Sequence, residues 1–416
     1  MPAPPPSPKR LWIPWTSLAV SVTVVLNSAF AVRPVRDAAT LADVAEAYLM
    51  RPVLYVALAP LSNVLDTLTL LSVRQHIALA VGLIVLFGVW RIARARWGGA
   101  TRRNHFTAAL AFALGIVVAY VATAALPRPM AALVSDNANI LVVDFHSHTS
   151  ASHDVRGGWS VERTRAWHRA AGYDVAYVTD HGAVAGAEQG MANNPNPASS
   201  GTTILQGIEV TWSGEHVAIL NAERIYKGML TPNLRDVDEQ GIRLASLITG
   251  REPVVIWNHP RDLNRLPVAS GPGTPGVRAI EIVNGSPGGM DRIRPKRAEM
   301  VAFASRHNLA LTSGSDNHGW GRAAPAWTIT RVFGWRGSHA DALALEIERA
   351  LREGRFRGTR VVERRVADPG ASLLALGLTV FTVPLRMLTT LSNEERVVWL
   401  VWTWLIAAGA WWIRRR

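Results

Sequence analysis

The sequence predicts an α/β domain, built as a parallel sheet or barrel and flanked by N- and C-terminal transmembrane helices. Two observations carry this. Apolar residues make up 49% of the 416, and the long apolar runs lie before residue 130 and after residue 370. Between them, short β-rich runs alternate with helical stretches, the pattern of strands buried on both faces. The chain divides accordingly into an N-terminal membrane region (1–136), a soluble domain (137–367) and a C-terminal membrane region (368–416).

Four runs are predicted to span: Leu11–Val32, Ile77–Ile92, Phe106–Leu126 and Val397–Ile413. Each approaches the roughly 20 residues that a hydrocarbon core requires. Trp12, Trp15, Trp90, Trp97, Trp411 and Trp412 mark their ends, as interfacial belts do. Val53–Leu71 and Ala371–Leu391 are also apolar, but they hold Pro60, Asn63 and Asp66, or Pro384 and Arg386. Such residues are costly at mid-membrane, so both runs are predicted to lie at the interface. They resemble each other: Leu68–Ser72 reads LTLLS and Leu388–Ser392 reads LTTLS, each ahead of a spanning run.

Charge orients this arrangement. The net charge of +13 splits into +7, +4 and +2 over the three regions. Most of the excess flanks apolar runs, at Lys9 and Arg10, at Arg91, Arg94, Arg96, Arg102 and Arg103, and at Arg414–Arg416. With four spans all three clusters share the cytoplasmic side, and the soluble domain falls on the extracytoplasmic side. With six, the five-arginine loop would fall outside. A lipid bilayer is therefore an expected partner. The mildly basic middle region argues against nucleic acid. The chain has no cysteine, which excludes disulfides, thiolate zinc sites and cysteine nucleophiles.

Within the soluble domain the predicted strands are Ile140–Phe145, Val175–Thr179, Ile204–Val210, His216–Leu220, Val254–Trp257, Ala279–Val283, Ala310–Ser313 and Trp327–Val332. The predicted helices are Ser160–Ala171, Asp236–Thr249, Asp291–Arg306 and Ala340–Arg352. Polar phrases follow several strands, the position of the catalytic rim in α/β barrels.

Those phrases are DFHSHTSASHD (Asp144–Asp154), TDHG (Thr179–Gly182), GIEV (Gly207–Val210) followed by His216, NHP (Asn258–Pro260) and SGSDNHG (Ser313–Gly319). His146 and His148 stand two apart, so on a strand both imidazoles reach one face. Asp316 and His318 repeat the spacing. A carboxylate such as Glu209 can bridge two cations about 3.5–4 Å apart. Each phrase alone has a plainer reading: a packed loop histidine at His259, a half-buried structural one at His216, a helix cap at Asp180, a glycine-rich turn around Asp316. Together, in order and each after an apolar strand, they point to a sulfur-free metal cage.

From Asp144 to His318 the chain resembles the polymerase-and-histidinol-phosphatase (PHP) family of phosphoesterases, whose motifs run HxH, TDH, a strand-end Glu, a later His and GSDxH. The resemblance implies a distorted seven-stranded (βα)7 TIM-like barrel holding two or three divalent ions, with zinc, manganese or iron the usual candidates. Carried over residue by residue, it implies a first ion on His146, His148, Glu209 and Asp316. A second would sit on Glu209, His216 and His259, and a third on His153, His181 and His318. Ser152 is followed by His153 and Asp154 where the family often has Ser-Asp-Gly. Position counting favours His153, and Asp154 is its rival.

The implied activity is hydrolysis of a phosphate ester by a metal-bridging hydroxide, with Glu209, Asp316 and Asp180 the carboxylates nearest the chemistry. Asp144 and Asp180 are expected to fix ligand tautomers. Arg156 and Arg322 are candidate clamps for a phosphorylated substrate. An amidohydrolase-type C–N hydrolase and a non-catalytic metal-binding sensor are the alternatives. Neither oligomeric state nor the substrate is legible.

Overall fold

The computed structural model describes residues 14–97, 102–220, 236–237, 253–270 and 276–415. Three short strands come first: β1 (Val35–Asp37), β2 (Tyr48–Met50) and β3 (Ala132–Val134). The others are β4 (Ile140–Ser147), β5 (Val175–Val178), β6 (Thr203–Trp212), β7 (Glu215–Leu220), β8 (Val254–Trp257), β9 (Ala279–Asn284), β10 (Ala310–Gly314), β11 (Ala326–Arg331) and β12 (Thr359–Arg364). One sheet runs β1-β12-β11-β4-β5-β6-β7-β8-β9-β10, while β2 and β3 pair separately.

This corrects the expected (βα)7 TIM-like barrel. The sheet is mixed: β4–β5, β5–β6, β8–β9 and β9–β10 are parallel, whereas β1–β12, β12–β11, β11–β4, β6–β7 and β7–β8 are antiparallel. One cause is local. Ser213 and Gly214 have φ of 51° and 80°, a two-residue turn of the kind that folds a hairpin back on itself. That turn leaves no room for a crossover helix between β6 and β7. The sheet curls into a half-barrel, and β10 lies against β4 and β11 without a continuous ladder. Side chains fasten that seam instead, with Ser313 N donating to Thr328 Oγ1 at 2.8 Å and Ser315 N to Asp144 Oδ1 at 2.9 Å.

Every residue of β4 is buried, as expected of a central strand. Strand β1 (VRD) escapes sequence reading because it has three residues, and β12 (TRVVER) because charges interrupt its apolar run. Residues of the supposed N-terminal membrane region therefore complete the sheet, with Val35 opposite Arg364.

The helices are α1 (Trp15–Ser28), α2 (Val53–Ala57), α3 (Ala59–Thr69), α4 (Val73–Trp97), α5 (Arg102–Ala125), α6 (Val161–Ala171), α7 (Ala185–Met191), α8 (Pro287–Ile293), α9 (Arg297–His307), α10 (Ala340–Arg349), α11 (Leu373–Gly377), α12 (Thr379–Thr389) and α13 (Asn393–Arg415). Of the predicted helix Asp236–Thr249, Asp236–Val237 pair with β6 and the rest lies outside the described residues. Pro295 falls where the predicted Asp291–Arg306 helix splits into α8 and α9.

The flanks also differ from four simple spans. Among the described residues, three helical stretches are long and apolar enough to cross a membrane: Val73–Ala95, His105–Ala125 and Asn393–Ile413. The described part of the first run, α1, has 14 residues and is shorter than a span requires. The two proline-bearing runs become helix pairs that match in length, α2 and α11 with 5 residues each, α3 and α12 with 11. Each pair leads into a long helix through a reciprocal cap. Ser72 N donates to Gln75 Oε1 (3.2 Å) and Gln75 N to Ser72 Oγ (3.3 Å); Ser392 N donates to Glu395 Oε2 (2.7 Å) and Glu395 N to Ser392 Oγ (3.2 Å). The halves pack crosswise, α4 on α12 and α13 on α3.

Two of the polar residues that argued against spanning, Asn63 and Asp66, are buried and paired inside this bundle, whereas Arg386 is exposed. Asn63 Nδ2 donates to Glu395 Oε1 at 2.8 Å. Asp66 receives Tyr55 Oη (2.9 Å), Arg128 Nη2 (3.1 Å) and Arg364 Nη1 (2.7 Å). Arg364 ends β12, so Asp66 ties the helices to the sheet.

Candidate metal centre

The strand ends deliver the polar residues to one place. His146 and His148 leave β4 on the same side, and Glu209 leaves β6 opposite Ala218 of β7. Asp316 and His259 occupy the loops after β10 and β8 with φ of 46° and 30°. Non-glycine residues held there are strained, and such strain concentrates at functional sites.

Four ligand atoms crowd together. His146 Nε2 lies 3.1 Å from His148 Nε2, 3.1 Å from Glu209 Oε2 and 3.5 Å from Asp316 Oδ1. His148 Nε2 lies 3.4 Å from Glu209 Oε2 and 3.3 Å from Asp316 Oδ1. The other oxygen of Glu209 faces a second group, with His216 Nδ1 at 3.0 Å, Asn258 Nδ2 at 3.2 Å and His259 Nε2 at 3.8 Å. His181 Nδ1 approaches Glu209 Oε2 at 3.3 Å. Glu209 thus stands between two donor sets with one oxygen turned to each.

The hydrogen bonds behind the rings set their tautomers. His146 Nδ1 faces Glu281 Oε1 at 3.2 Å and donates to it. His148 Nδ1 faces Ser152 Oγ at 3.2 Å; that hydroxyl donates to Asp180 Oδ1 at 3.0 Å and so accepts from the ring. His318 Nδ1 donates to the Asp316 carbonyl at 2.9 Å. In each case the Nε2 lone pair is left to face the cluster. Two lone pairs 3.1 Å apart, at His146 and His148, repel unless a proton or a cation sits between them. Imidazoles and carboxylates converging this way suit a divalent ion with N and O ligands. Among the described residues, three trios have ligand atoms close enough to share an ion: His146, His148 and Asp316; His181, Glu209 and His216; and His148, His181 and His318.

His259 behaves differently. Its Nδ1 faces Arg292 Nη1 at 3.1 Å. A guanidinium can only donate, so the ring proton belongs on Nε2, which points toward Glu209.

At the third trio the turn after β4 presents Asp154. Asp154 Oδ2 lies 3.2 Å from His318 Nε2 and 3.5 Å from His181 Nε2. His153 is exposed, its ring centroid 5.5 Å from that of His181. We expect Asp154→Ala to lower bound metal and His153→Ala to leave it unchanged, as elemental analysis of both variants will read out.

The supporting residues differ from those expected. Asp144 touches no ligand ring. Its carboxylate accepts from Ser315 N (2.9 Å) and His146 N (3.3 Å), and it pairs with buried His168 Nε2 at 2.7 Å. It holds the two ligand loops in register. Asp180 acts through Ser152 and takes two bonds of 2.6 Å from Thr149. Arg156 sits beside the cluster, its backbone N bonded to the His318 carbonyl at 3.0 Å and its guanidinium 5.1 Å from the Trp320 ring centroid. Arg322 turns away, donating from Nε to the Arg128 carbonyl at 3.0 Å.

Sequence reading missed Glu281. Besides His146 it accepts from His259 N at 2.8 Å and Asn284 Nδ2 at 3.1 Å. A clue lay in Gly314 of the SGSDNHG phrase. A Cβ there would fall on Glu281 Oε1 and on the His146 side chain, so the contact requires glycine. Glu281→Gln is expected to weaken metal binding about 10–100-fold, read by competition with a chromophoric chelator. An unchanged affinity would remove Glu281 from the account.

Burial opposes charge on His146 and His148, but the surrounding carboxylates of Glu209 and Asp316 outweigh it and hold both rings above the ordinary histidine range. Burial likewise works against the charges of Glu209 and Asp316, yet the same histidines hold both well below the usual carboxylate range. His181 is pushed down to about 4, chiefly by burial. A cation entering the cluster must therefore displace protons from His146 and His148. Lowering the pH strengthens the proton's competition, so metal affinity should fall as pH falls from about 7.5 to about 5.5. Calorimetric titrations in buffers of different ionisation enthalpy will show proton release; pH-independent binding would contradict it.

No protein-family model and no curated protein matches this chain. Several solved structures show likeness, among them these three. PsfC from Pseudomonas syringae PB-5123 has 19% identity and a TM-score of 0.35, over 57% of this chain and 96% of that one. The lesion-specific endonuclease PfuEndoQ from Pyrococcus furiosus has 12% identity and a TM-score of 0.39, over 53% and 57%. Endonuclease Q bound to a 27-mer duplex with an abasic lesion has 12% identity and a TM-score of 0.38, over 52% and 58%. These scores are too low for any of the likenesses to carry an argument. What the chain possesses on its own geometry is a buried cluster of histidines and carboxylates able to hold divalent metal.

Proposed function

We propose that this chain is a metal-dependent phosphoesterase of the PHP type, associated with a membrane. The observation that carries the reading is Glu209, whose two carboxylate oxygens face separate imidazole sets. Divalent ions held there would supply a water of lowered pKa and a clamp for a phosphoryl oxygen.

The remaining work falls to the chain's own residues. Glu281 and Ser152 hold His146 and His148 in the tautomers that turn Nε2 inward. His181, with its depressed pKa, stays unprotonated at neutral pH and keeps a lone pair for a ligand or a proton. Arg156, fixed beside His318 and stacked on Trp320, supplies the cation for a phosphate oxygen. A C–N hydrolase of amidohydrolase type would use a lysine in such a cluster. The chain has Lys9, Lys227 and Lys296 only. Lys296 is exposed and bonded to the Arg261 carbonyl, and the other two lie outside the described residues.

The long helices support a sidedness. His76 near the start of α4 and Ala124 near the end of α5 lie beside the sheet's loops, so the arginine-bearing segment 91–103 belongs to the opposite ends of these two helices. By the positive-inside rule the metal cluster then lies on the extracytoplasmic side. Protease accessibility on intact cells tests this.

The purified full chain, loaded in turn with zinc, manganese and iron, should hydrolyse p-nitrophenyl phosphate or its diester and leave amides and lactones intact. Turnover of amides alone would replace the reading with the C–N hydrolase. Bound metal without turnover on any ester would leave a binding protein.

A further inference from the structure

Beside the cluster lies a cavity of about 520 Å³. It falls within the size range of small-molecule sites. One wall is the metal centre itself, with Asp154, Asp316 and His318. The facing wall comes from the helical bundle: Leu68 and Thr69 of α3, His76 of α4, and Tyr120, Thr123 and Ala124 of α5. The two walls are physically joined, because Gly321 N donates to the Ala124 carbonyl at 3.2 Å and Trp167 Nε1 to the Gly321 carbonyl at 3.3 Å. Helices α4 and α5 are two of the three long enough to span a membrane, and they present Val81, Val85, Leu114, Val117 and Val121 outward. The bundle-side residues of the cavity sit near the start of α4 and the end of α5, the ends nearest the sheet.

A water-soluble ester needs no such wall. The sheet domain's loops add Ser286, Ser315 and Asn317 on the metal side, groups suited to a polar head, and the helices close off the far side. Here the space beside the proposed phosphate position is lined by Leu68, Ala124 and the Trp320 ring, together with a hydrogen-bonded His76–Tyr120 pair (Nδ1 to Oη 3.0 Å). We propose that the substrate is an amphiphile: a phosphate ester on an apolar chain, with the phosphate at the metal cluster and the chain in this cavity, against the ends of α3, α4 and α5. The proposal rests on the phosphoesterase reading and names its substrate class. Hydrolysis of a monoester of this kind consumes one water, whose oxygen forms a new P–O bond as the ester P–O bond breaks; a proton from that water passes to the leaving alkoxide, releasing inorganic phosphate and the long-chain alcohol.

The test uses n-alkyl phosphates from ethyl to decyl on the full chain, metal-loaded, in one detergent at fixed concentration. Apolar burial is worth about a three- to fourfold gain in kcat/KM per methylene that enters the cavity. Even with part of that lost to micelles, decyl phosphate should exceed ethyl phosphate by at least about tenfold. Ala124→Phe, which fills the space, and Leu68→Ser, which makes the same wall polar, should each cut the decyl-to-ethyl ratio at least about fivefold relative to wild type. Detergent partitioning cancels in that comparison, and metal content verifies that each variant is folded. A flat chain-length profile in an active enzyme would overturn the proposal while sparing the phosphoesterase reading. So would a rising profile that neither metal-loaded variant alters. Turnover of no phosphate ester at all would remove both together.

Discussion

Glu209→Gln should strip the protein of most of its metal and of its hydrolytic activity together. The carboxylate is buried and serves both donor sets, Oε2 toward His146, His148 and His181, Oε1 toward His216. Glutamine keeps the shape and one acceptor but loses the charge and turns an NH2 toward one set. Removing one partner from a buried charged cluster costs about 3–5 kcal/mol. On metal affinity that is a loss of roughly 10²–10³-fold or more. Because one carboxylate serves both groups, the variant should lose occupancy at both, whereas His216→Ala should spare the ion at His146 and His148. A Glu209→Gln protein with full metal content and full turnover would refute the bridging role.

The second large effect concerns the joint between helices and sheet. Asp66→Ala is expected to destabilise the fold by about 3–5 kcal/mol, because buried Arg128 and half-buried Arg364 would both lose their carboxylate. Burial works against the charge of Arg364, but Asp66 outweighs it and holds the guanidinium above its ordinary range. Chemical denaturation of the detergent-solubilised chain, followed by tryptophan fluorescence, measures the loss. Since Arg364 ends β12 and pairs with Val35 of β1, the variant should also loosen that edge to hydrogen exchange. A change under about 1 kcal/mol would mean that the network is solvated rather than buried.

The ligand phrases were legible because metal chemistry confines itself to few residue types, and because strand geometry turns a two-residue spacing into one face. His146, His148, Asp316 and His318 needed only local sequence. Their supports did not, for they arrive from elsewhere in the chain. Glu281 reaches His146 across 135 positions, and Ser152 joins His148, His181 and Asp180 through one hydroxyl. The choice between His153 and Asp154 depends on the turn conformation after β4, which adjacent letters do not encode. Individual strands were legible from apolar runs, but their directions were not. Alternation with helices suggested parallel pairing throughout. The Ser213–Gly214 turn was the available sign of a hairpin, and its positive φ values are what a two-residue turn demands. In the flanks, Asp66 and Asn63 read as obstacles to spanning, and their distant partners Arg364 and Glu395 explain how they are buried.

The central claim is that these scattered imidazoles and carboxylates form one divalent-metal centre. Elemental analysis of the purified full chain, after dialysis against trace metal, tests it most directly. The account predicts about two or more zinc, manganese or iron ions per chain, reduced in Glu209→Gln. A chain that stays near zero for all three metals, while folded, would contradict it.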